Sequence, residues 1–215
     1  MFWIVTQSLL SGLATTFEIF ILTLIFALPL GLILAFGLLS KFTPLKRLVQ
    51  ILVWIIRGTP LMLQLMVVYF GPYYLFGMKV TATYRFYAVI IGFALNYAAY
   101  FAEIYRGGIE SMPQGQYEAA KILGYTKAQT FIRIILPQVI KRILPAITNE
   151  TITLVKDTSL AFTIGVTEMF TMAKALASGQ VSMLPYAFAA LFYYILNLVV
   201  AFITVSYTHL TLPTT

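Results

Sequence analysis

Arg57, Lys156 and Asp157 are charged residues in stretches of sequence that are otherwise apolar. A charge at membrane depth is costly, and in practice it faces a cavity, a water path or a partner of opposite sign. Asp157 has Lys156, Thr158 and Ser159 beside it, and Asn96 adds an amide in a separate apolar stretch. Around Arg57, the run from Trp54 to Gln64 carries two helix breakers. Pro60 cannot donate to the carbonyl of Ile56, and Gly58 weakens the helix just before it. With Thr59 as N-cap and Pro60 as first helical residue, a new half-helix would begin inside the membrane. Its positive dipole end can hold a carboxylate. The same residues also read as a proline kink filled by neighbouring helices, and Asp157 as the partner of Lys156 or Arg57 in an internal ion pair.

Other chemistry is poorly supplied. The chain has one histidine and no cysteine, which excludes disulfides and thiolate metal sites and leaves no metal centre to assign. No catalytic residue is assigned either, because the apolar stretches hold no His, Cys or paired-carboxylate cluster. A Gly-x-x-x-x-Gly-Lys-Ser/Thr phosphate loop is also absent.

A second constellation runs from Glu118 to Pro137, a basic, turn-punctuated segment in a membrane-like chain. Pro113 can open a short helix through Glu118, Ala119 and Ala120 that stops at Gly124, the residue type that most easily takes a left-handed cap. Thr126 with Gln129 three residues on has the spacing of a reciprocal cap, which starts a second helix. Small residues at 119, 120 and 124 let another surface approach the backbone, while Glu118 and Lys121 offer charged contacts. The bland reading is an ordinary amphipathic surface loop.

The elements that must carry these groups follow from composition. The chain is 60% hydrophobic and 10% charged over 215 residues, against about 25% charged in soluble domains. It reads as an all-α integral membrane protein with one domain over residues 1–205. Five stretches suffice for a bilayer, which takes about 20 helical residues: 15–39, 48–72, 86–106, 151–170 and 185–205. The first 14 residues lack a basic region or small-residue cleavage site, so they read as leading into a span rather than as a signal peptide. Lys41, Lys46, Arg47, Arg106, Lys121, Lys127, Arg133, Lys141 and Arg142 fall on one side, against Lys79, Arg85 and Lys174 on the other. The positive-inside rule then puts the 111–149 loop in the cytoplasm and the N-terminus outside. The net charge of +7 is explained by this topology, so nucleic acid is not an expected partner.

Glu118-Ala119-Ala120, Gly124, and Ile134-x-Leu136-Pro137 resemble the EAA loop of the membrane subunits of bacterial ABC importers. Arg57-Gly58-Thr59-Pro60-Leu61 with Gln64, and Lys156-Asp157-Thr158-Ser159-Leu160, resemble signatures of the polar amino acid permease family, which includes histidine, glutamine, arginine and cystine systems. The similarity covers about residues 8–205. The resemblance implies a five-span bundle of the type I ABC importer permease kind, with a cytoplasmic coupling helix in the EAA loop. It also implies two such subunits, identical or paralogous, in the bacterial inner membrane, a cytoplasmic ABC ATPase dimer that carries the ATP and Mg, and an extracytoplasmic amino acid binding protein. The substrate pathway must satisfy a zwitterion's ammonium and carboxylate away from bulk water. Candidates are Arg57, Thr59, Gln64, Asn96, Lys156, Asp157, Thr158 and Ser159. A stand-alone secondary amino acid transporter or channel is the alternative, and it has no need of the cytoplasmic loop.

Remaining groups read as structural. Glu103 and Arg106 form a surface pair at helical spacing. Glu18 and Glu168 are expected near the outer surface and solvated. Tyr73, Tyr74, Phe76, Tyr84, Phe86 and Tyr87 read first as an interfacial belt and second as a route for substrate from the binding protein. Residues 206–215, with only His209 able to carry charge, depart from the short charged end expected of the family. They read as a foreign sequence with no assigned function.

Overall fold

The computed structural model describes residues 2–211, and among these all regular structure is helical. The order is α1 (Phe2–Leu38), α2 (Thr43–Gly58), α3 (Leu61–Phe76), α4 (Ala82–Glu110), α5 (Gln114–Ile122), α6 (Lys127–Gln129), a π-turn (Thr130–Ile135), α7 (Leu136–Asp157), a 3₁₀ segment (Thr158–Ile164), α8 (Met169–Gln180) and α9 (Leu184–Thr211). By length and composition three helices can cross a membrane: α1 over Val5–Leu38, α4 over Ala82–Glu110 and α9 over Leu184–Thr204. The α2–α3 pair also passes as a unit, bent by 109°. The tail is divided: residues 206–211 continue α9, whereas 212–215 and the side chain of His209 lie outside the described residues.

The bundle is organised around α4. A helix buried on most sides needs small residues where other backbones approach, because in lipid it is close packing rather than water exclusion that holds helices together. In α4 Ala88, Gly92, Ala94, Ala98, Ala99 and Ala102 are all buried, interleaved with Phe93, Tyr97 and Phe101. Against them α1 brings Gly31, where a β-carbon would lie 2.8 Å from the Phe101 Cβ and 3.0 Å from the Ala98 carbonyl. Ile19 and Phe20 of α1, Leu65 and Tyr69 of α3, and Leu154 and Val155 of α7 complete the same core. Truncating a ring such as Phe101 there costs about 3–5 kcal/mol, transfer and cavity together.

The break at residues 58–60 is real, but its capping differs from the expectation. Pro60, with extended backbone (φ −61°, ψ 132°), is itself the N-cap of α3, and Leu61 is the first helical residue. Thr59 does not cap α3. Its hydroxyl donates backwards to the Ile55 carbonyl at 2.8 Å. A hydroxyl this close behind a helix end finds a free carbonyl more readily than an amide in front.

The 151–170 stretch is not one helix. α7 ends at Asp157 and a 3₁₀ segment follows, after which the chain turns at Gly165 (φ +76°). Thr158, Ser159 and Thr163 each donate a hydroxyl to the carbonyl three residues back, at 2.7, 2.8 and 2.8 Å. These bonds favour the tighter winding over a continued α-helix.

Glu168 also departs from expectation. It is fully buried rather than solvated, and it caps α8. Its carboxylate accepts from the backbone N–H groups of Phe170 and Thr171, both at 2.7 Å, from the Thr171 hydroxyl at 2.9 Å and from the Tyr193 hydroxyl of α9 at 2.8 Å. Four donors offset the cost of burying one charge. Glu18, by contrast, is exposed. Of the aromatic group, Tyr73, Tyr74, Phe76 and Tyr87 are exposed. Tyr84 instead stacks on Tyr69 and donates to the Val68 carbonyl at 2.9 Å.

Candidate functional site

The loop between α4 and α7 is punctuated as its sequence demands. Pro113 is the N-cap of α5. At the other end Gly124 takes φ +77°, with Tyr125 N–H donating to the Ala120 carbonyl (3.0 Å) and Gly124 N–H to that of Lys121 (3.1 Å), the paired bonds of a left-handed helix stop. Thr126 and Gln129 cap each other's backbone at 3.3 and 2.9 Å. The chain then widens into the π-turn, where Leu136 N–H donates to the Phe131 carbonyl five residues back. Pro137 explains this. It has no N–H to continue an α-ladder and its ring crowds the carbonyl four residues earlier, so the wider turn before it relieves the clash. Ile134, inside the π-turn, and Leu136, which opens α7, are half-buried; Pro137 is exposed.

The two alanines do different jobs. Ala119 is exposed, whereas Ala120 is 1% exposed and seats α5 on its own bundle. Gly124 has no atom within 4 Å of where a β-carbon would lie, so its positive φ, not crowding within this chain, requires glycine. The outward face of α5 and its stop presents Glu118 and Lys121 together with Ile122 and Leu123, which are 86% and 73% exposed. At the foot of α4, Arg106 bridges Glu103 and Glu110, both at 2.6 Å, which extends the expected surface pair by one carboxylate.

The eight pathway candidates fall into three groups. At the helix break, Gln64 Nε2 donates to the Ile56 carbonyl (2.7 Å), the Thr59 carbonyl (3.0 Å) and the Thr59 hydroxyl (2.8 Å), while Asn96 Nδ2 donates to Gln64 Oε1 (3.0 Å). This chain satisfies carbonyls that α2 leaves open where it ends. Lys156 and Ser159 line a cavity of about 370 Å³ with Phe170, Tyr186, Ala189, Ala190 and Tyr193, whereas Thr158 points into the core.

Arg57 and Asp157 form the third group, with help from α4. Tyr97 donates to Asp157 Oδ2 at 2.7 Å, and Arg57 lies over the Tyr100 ring, 5.0 Å from its centroid. Glu150 of α7, half-buried, interacts electrostatically with both Arg57 and Asp157. Among the described residues no ion pair joins Asp157 to Lys156 or Arg57, which corrects that alternative. Adjacent helical residues diverge by about 100°, so Lys156 and Asp157 face different ways. Glu150 escaped notice in the sequence, although it lies seven residues before Asp157 and so on nearly the same helix face. The cluster thus sets two carboxylates and a guanidinium in one region. No group of three or more His, Cys, Asp or Glu converges as metal ligands would among the described residues.

Comparison with known proteins agrees with this architecture. Residues 27–207 match the family model described as binding-protein-dependent transport system inner membrane component. The arginine transport system permease protein ArtQ of Bacillus subtilis (strain 168) is 38% identical over 196 residues, 91% of this chain and 88% of that protein. The L-cystine transport system permease protein TcyB of the same organism is 38% identical over 187 residues, 86% of this chain and 78% of the relative. Among solved structures, an amino acid ABC transporter crystallised with histidines superposes with a TM-score of 0.86 at 33% identity, covering 95% of this chain and 94% of that one. The inward-facing methionine transporter MetNI, at 20% identity and a TM-score of 0.73 over 99% and 98%, shares the fold.

Proposed function

The chain belongs to the family of binding-protein-dependent transport system inner membrane components and is a permease subunit of an ABC amino acid importer, and on that premise we propose how it works. The subunit spans the bacterial cytoplasmic membrane five times with the N-terminus outside. It pairs with a second permease subunit, identical or paralogous. α5 is the coupling helix, and its outward face seats on a cytoplasmic ABC ATPase dimer that binds ATP and Mg. An extracytoplasmic binding protein delivers the substrate.

The observation that carries this reading is the α5 surface. An isolated nine-residue helix is far below the length at which helices persist alone, yet it is capped at both ends and displays Ile122 and Leu123 outward. A partner that binds the two conformations of the bundle with different affinity can shift it between them. ATP binding thus closes the ATPase pair, α5 moves with it, and the bundle turns from inward-facing to outward-facing.

The substrate is a polar amino acid. Asp157 and Glu150 suit its ammonium or a cationic side chain, and Arg57 suits its carboxylate, so that neither charge is left bare on leaving water. Thr59, Gln64 and Asn96 shape the pathway at the helix break, while Lys156 and Ser159 border it from the other face of the α7 end and Thr158, buried in the core, supports them from behind. Uptake of radiolabelled amino acids into proteoliposomes holding the complete complex tests this directly. ATP-dependent, binding-protein-dependent uptake is expected; uptake that needs neither would overturn it in favour of a stand-alone transporter.

A further inference from the structure

The side chains of Gln116 and Gln138 hold each other by both ends. Gln116 Nε2 donates to Gln138 Oε1 at 2.8 Å, and Gln138 Nε2 donates back to Gln116 Oε1 at 2.8 Å. Gln138 spends its second amide proton on the Ile134 carbonyl, at 2.7 Å. Every position in this arrangement is thereby assigned: rotating the Gln138 amide would set donor against donor and leave the Ile134 carbonyl unmet. Both residues are half-buried.

The placement matters more than the pair itself. Gln116 is in the middle of α5, one turn before Ala120, and Gln138 lies just after Pro137 in the first turn of α7. α7 is 22 residues long, about 30 Å at 1.5 Å per residue, and its far half bears Glu150 and Asp157. A second tie on the same helix reinforces the first: Arg142 Nη1 donates to the Ser111 carbonyl at 2.6 Å and to its hydroxyl at 3.0 Å, where α4 passes into α5. Ala120 gives α5 an apolar seat, but apolar contact is non-directional and lets a helix roll or slide. A two-bonded amide ring fixes orientation as well as distance.

We propose that the Gln116–Gln138 pair is the joint that makes α5 and α7 move as one body, so that displacement of α5 reaches the charged end of α7 instead of being absorbed in the loop. This rests on the reading of α5 as the ATPase-docking helix. Gln116 and Gln138 are positioning residues: neither touches substrate, and neither side chain belongs to the outward face of α5.

The chain has no cysteine, which permits a clean test in the complete reconstituted complex. Gln116→Leu and Gln138→Leu should each keep the ATPase bound and basal ATP hydrolysis near normal. Amino acid moved per ATP hydrolysed should fall at least roughly fivefold, the change that corresponds to about one net hydrogen bond of the two that are lost. In the Gln116→Cys/Gln138→Cys double variant, transport per ATP should be low when the thiols are free and recover when a short bifunctional thiol reagent joins them. Recovery on cross-linking is a readout that a merely structural role would not produce. Leu variants that transport normally overturn the proposal, as does an assembled cysteine variant whose coupling is not restored, or an assembly defect that cross-linking leaves in place. The docking premise is checked separately with Leu123→Asp on the outward face. If that variant binds the ATPase and transports normally, the premise fails; if it loses the ATPase while the cross-link has no effect, the joint alone is wrong.

Discussion

The Tyr97 hydroxyl donates to Asp157 Oδ2 at 2.7 Å, and this bond ties the middle of α4 to the last residue of α7. It makes Asp157 a hydrogen-bonded carboxylate rather than half of an ion pair, which changes what its removal should do. Asp157→Asn leaves no buried cation uncompensated and keeps an oxygen for Tyr97. Complex yield and thermal stability should therefore stay near wild type, while transport falls at least on the order of tenfold if a charge–charge contact to substrate worth 1.5–3 kcal/mol is lost. Parallel uptake and melting measurements decide it. A variant that melts early but transports at wild-type rate per folded complex would make Asp157 purely structural.

Tyr97→Phe separates the two ends of the same bond. It deletes the donor and keeps the packing of a buried ring, at a cost of about 1.5–3 kcal/mol for a hydrogen bond to a charged group. Melting temperature should drop, with binding-protein-stimulated ATP hydrolysis retained. No change in melting would mean that water replaces the hydroxyl.

At Gly124 the backbone and not the space is restrictive. Gly124→Ala should cost the subunit about 1–2 kcal/mol, the penalty for a β-carbon in the left-handed region, and Gly124→Asn less, since Asn tolerates that conformation. ATP hydrolysis stimulated by the loaded binding protein should follow the order Gly, Asn, Ala. If Asn proves as damaging as Ala, the partner surface rather than φ is what demands glycine.

Glu168 has no exposure and four donors around it. Glu168→Gln puts an NH₂ where N–H and O–H groups already point, leaving at least one buried donor unmet at about 1–3 kcal/mol. Tyr193→Phe, which removes a single donor, should be milder. Equal melting temperatures for Glu168→Gln and wild type would show that the network reorganises.

Topology is open to labelling. A cysteine replacing Tyr125 should react with membrane-impermeant thiol reagents from the cytoplasmic face only, and one replacing Met78, exposed beyond the end of α3, from the outside only. The reverse pattern would invert the orientation derived from the basic residues.

Local features of this protein were legible in its sequence because local physics sets them. Gly124, Thr126 and Gln129 stop and start helices through bonds that span five residues or fewer, and Pro60 breaks the second apolar stretch whatever surrounds it. The membrane setting follows from composition alone. The family was legible only as a resemblance of short motifs to known ones, which the comparisons bear out. Assignments that depended on a partner from a distant part of the chain were another matter. Glu168 looked like a solvated end because its shelter, Tyr193, comes 25 residues later, on another helix. Asp157 could be read as the partner of Lys156 or Arg57 because both cations lie in apolar stretches as it does, but neither forms an ion pair with it, and the group that donates to it, Tyr97, is 60 residues away. Ala119 and Ala120 are the same residue type side by side, and only the docking of α5 against the bundle turns one outward and one in. Gln64 and Asn96 read only as pathway residues, and it took the 109° bend to show that Gln64 also meets the carbonyls left open there and that Asn96 holds Gln64 in place. A chain specifies its caps and breaks residue by residue. Which polar group meets which is decided only when packing brings separate helices into register, because each buried donor or acceptor must be paired with whatever the fold sets beside it.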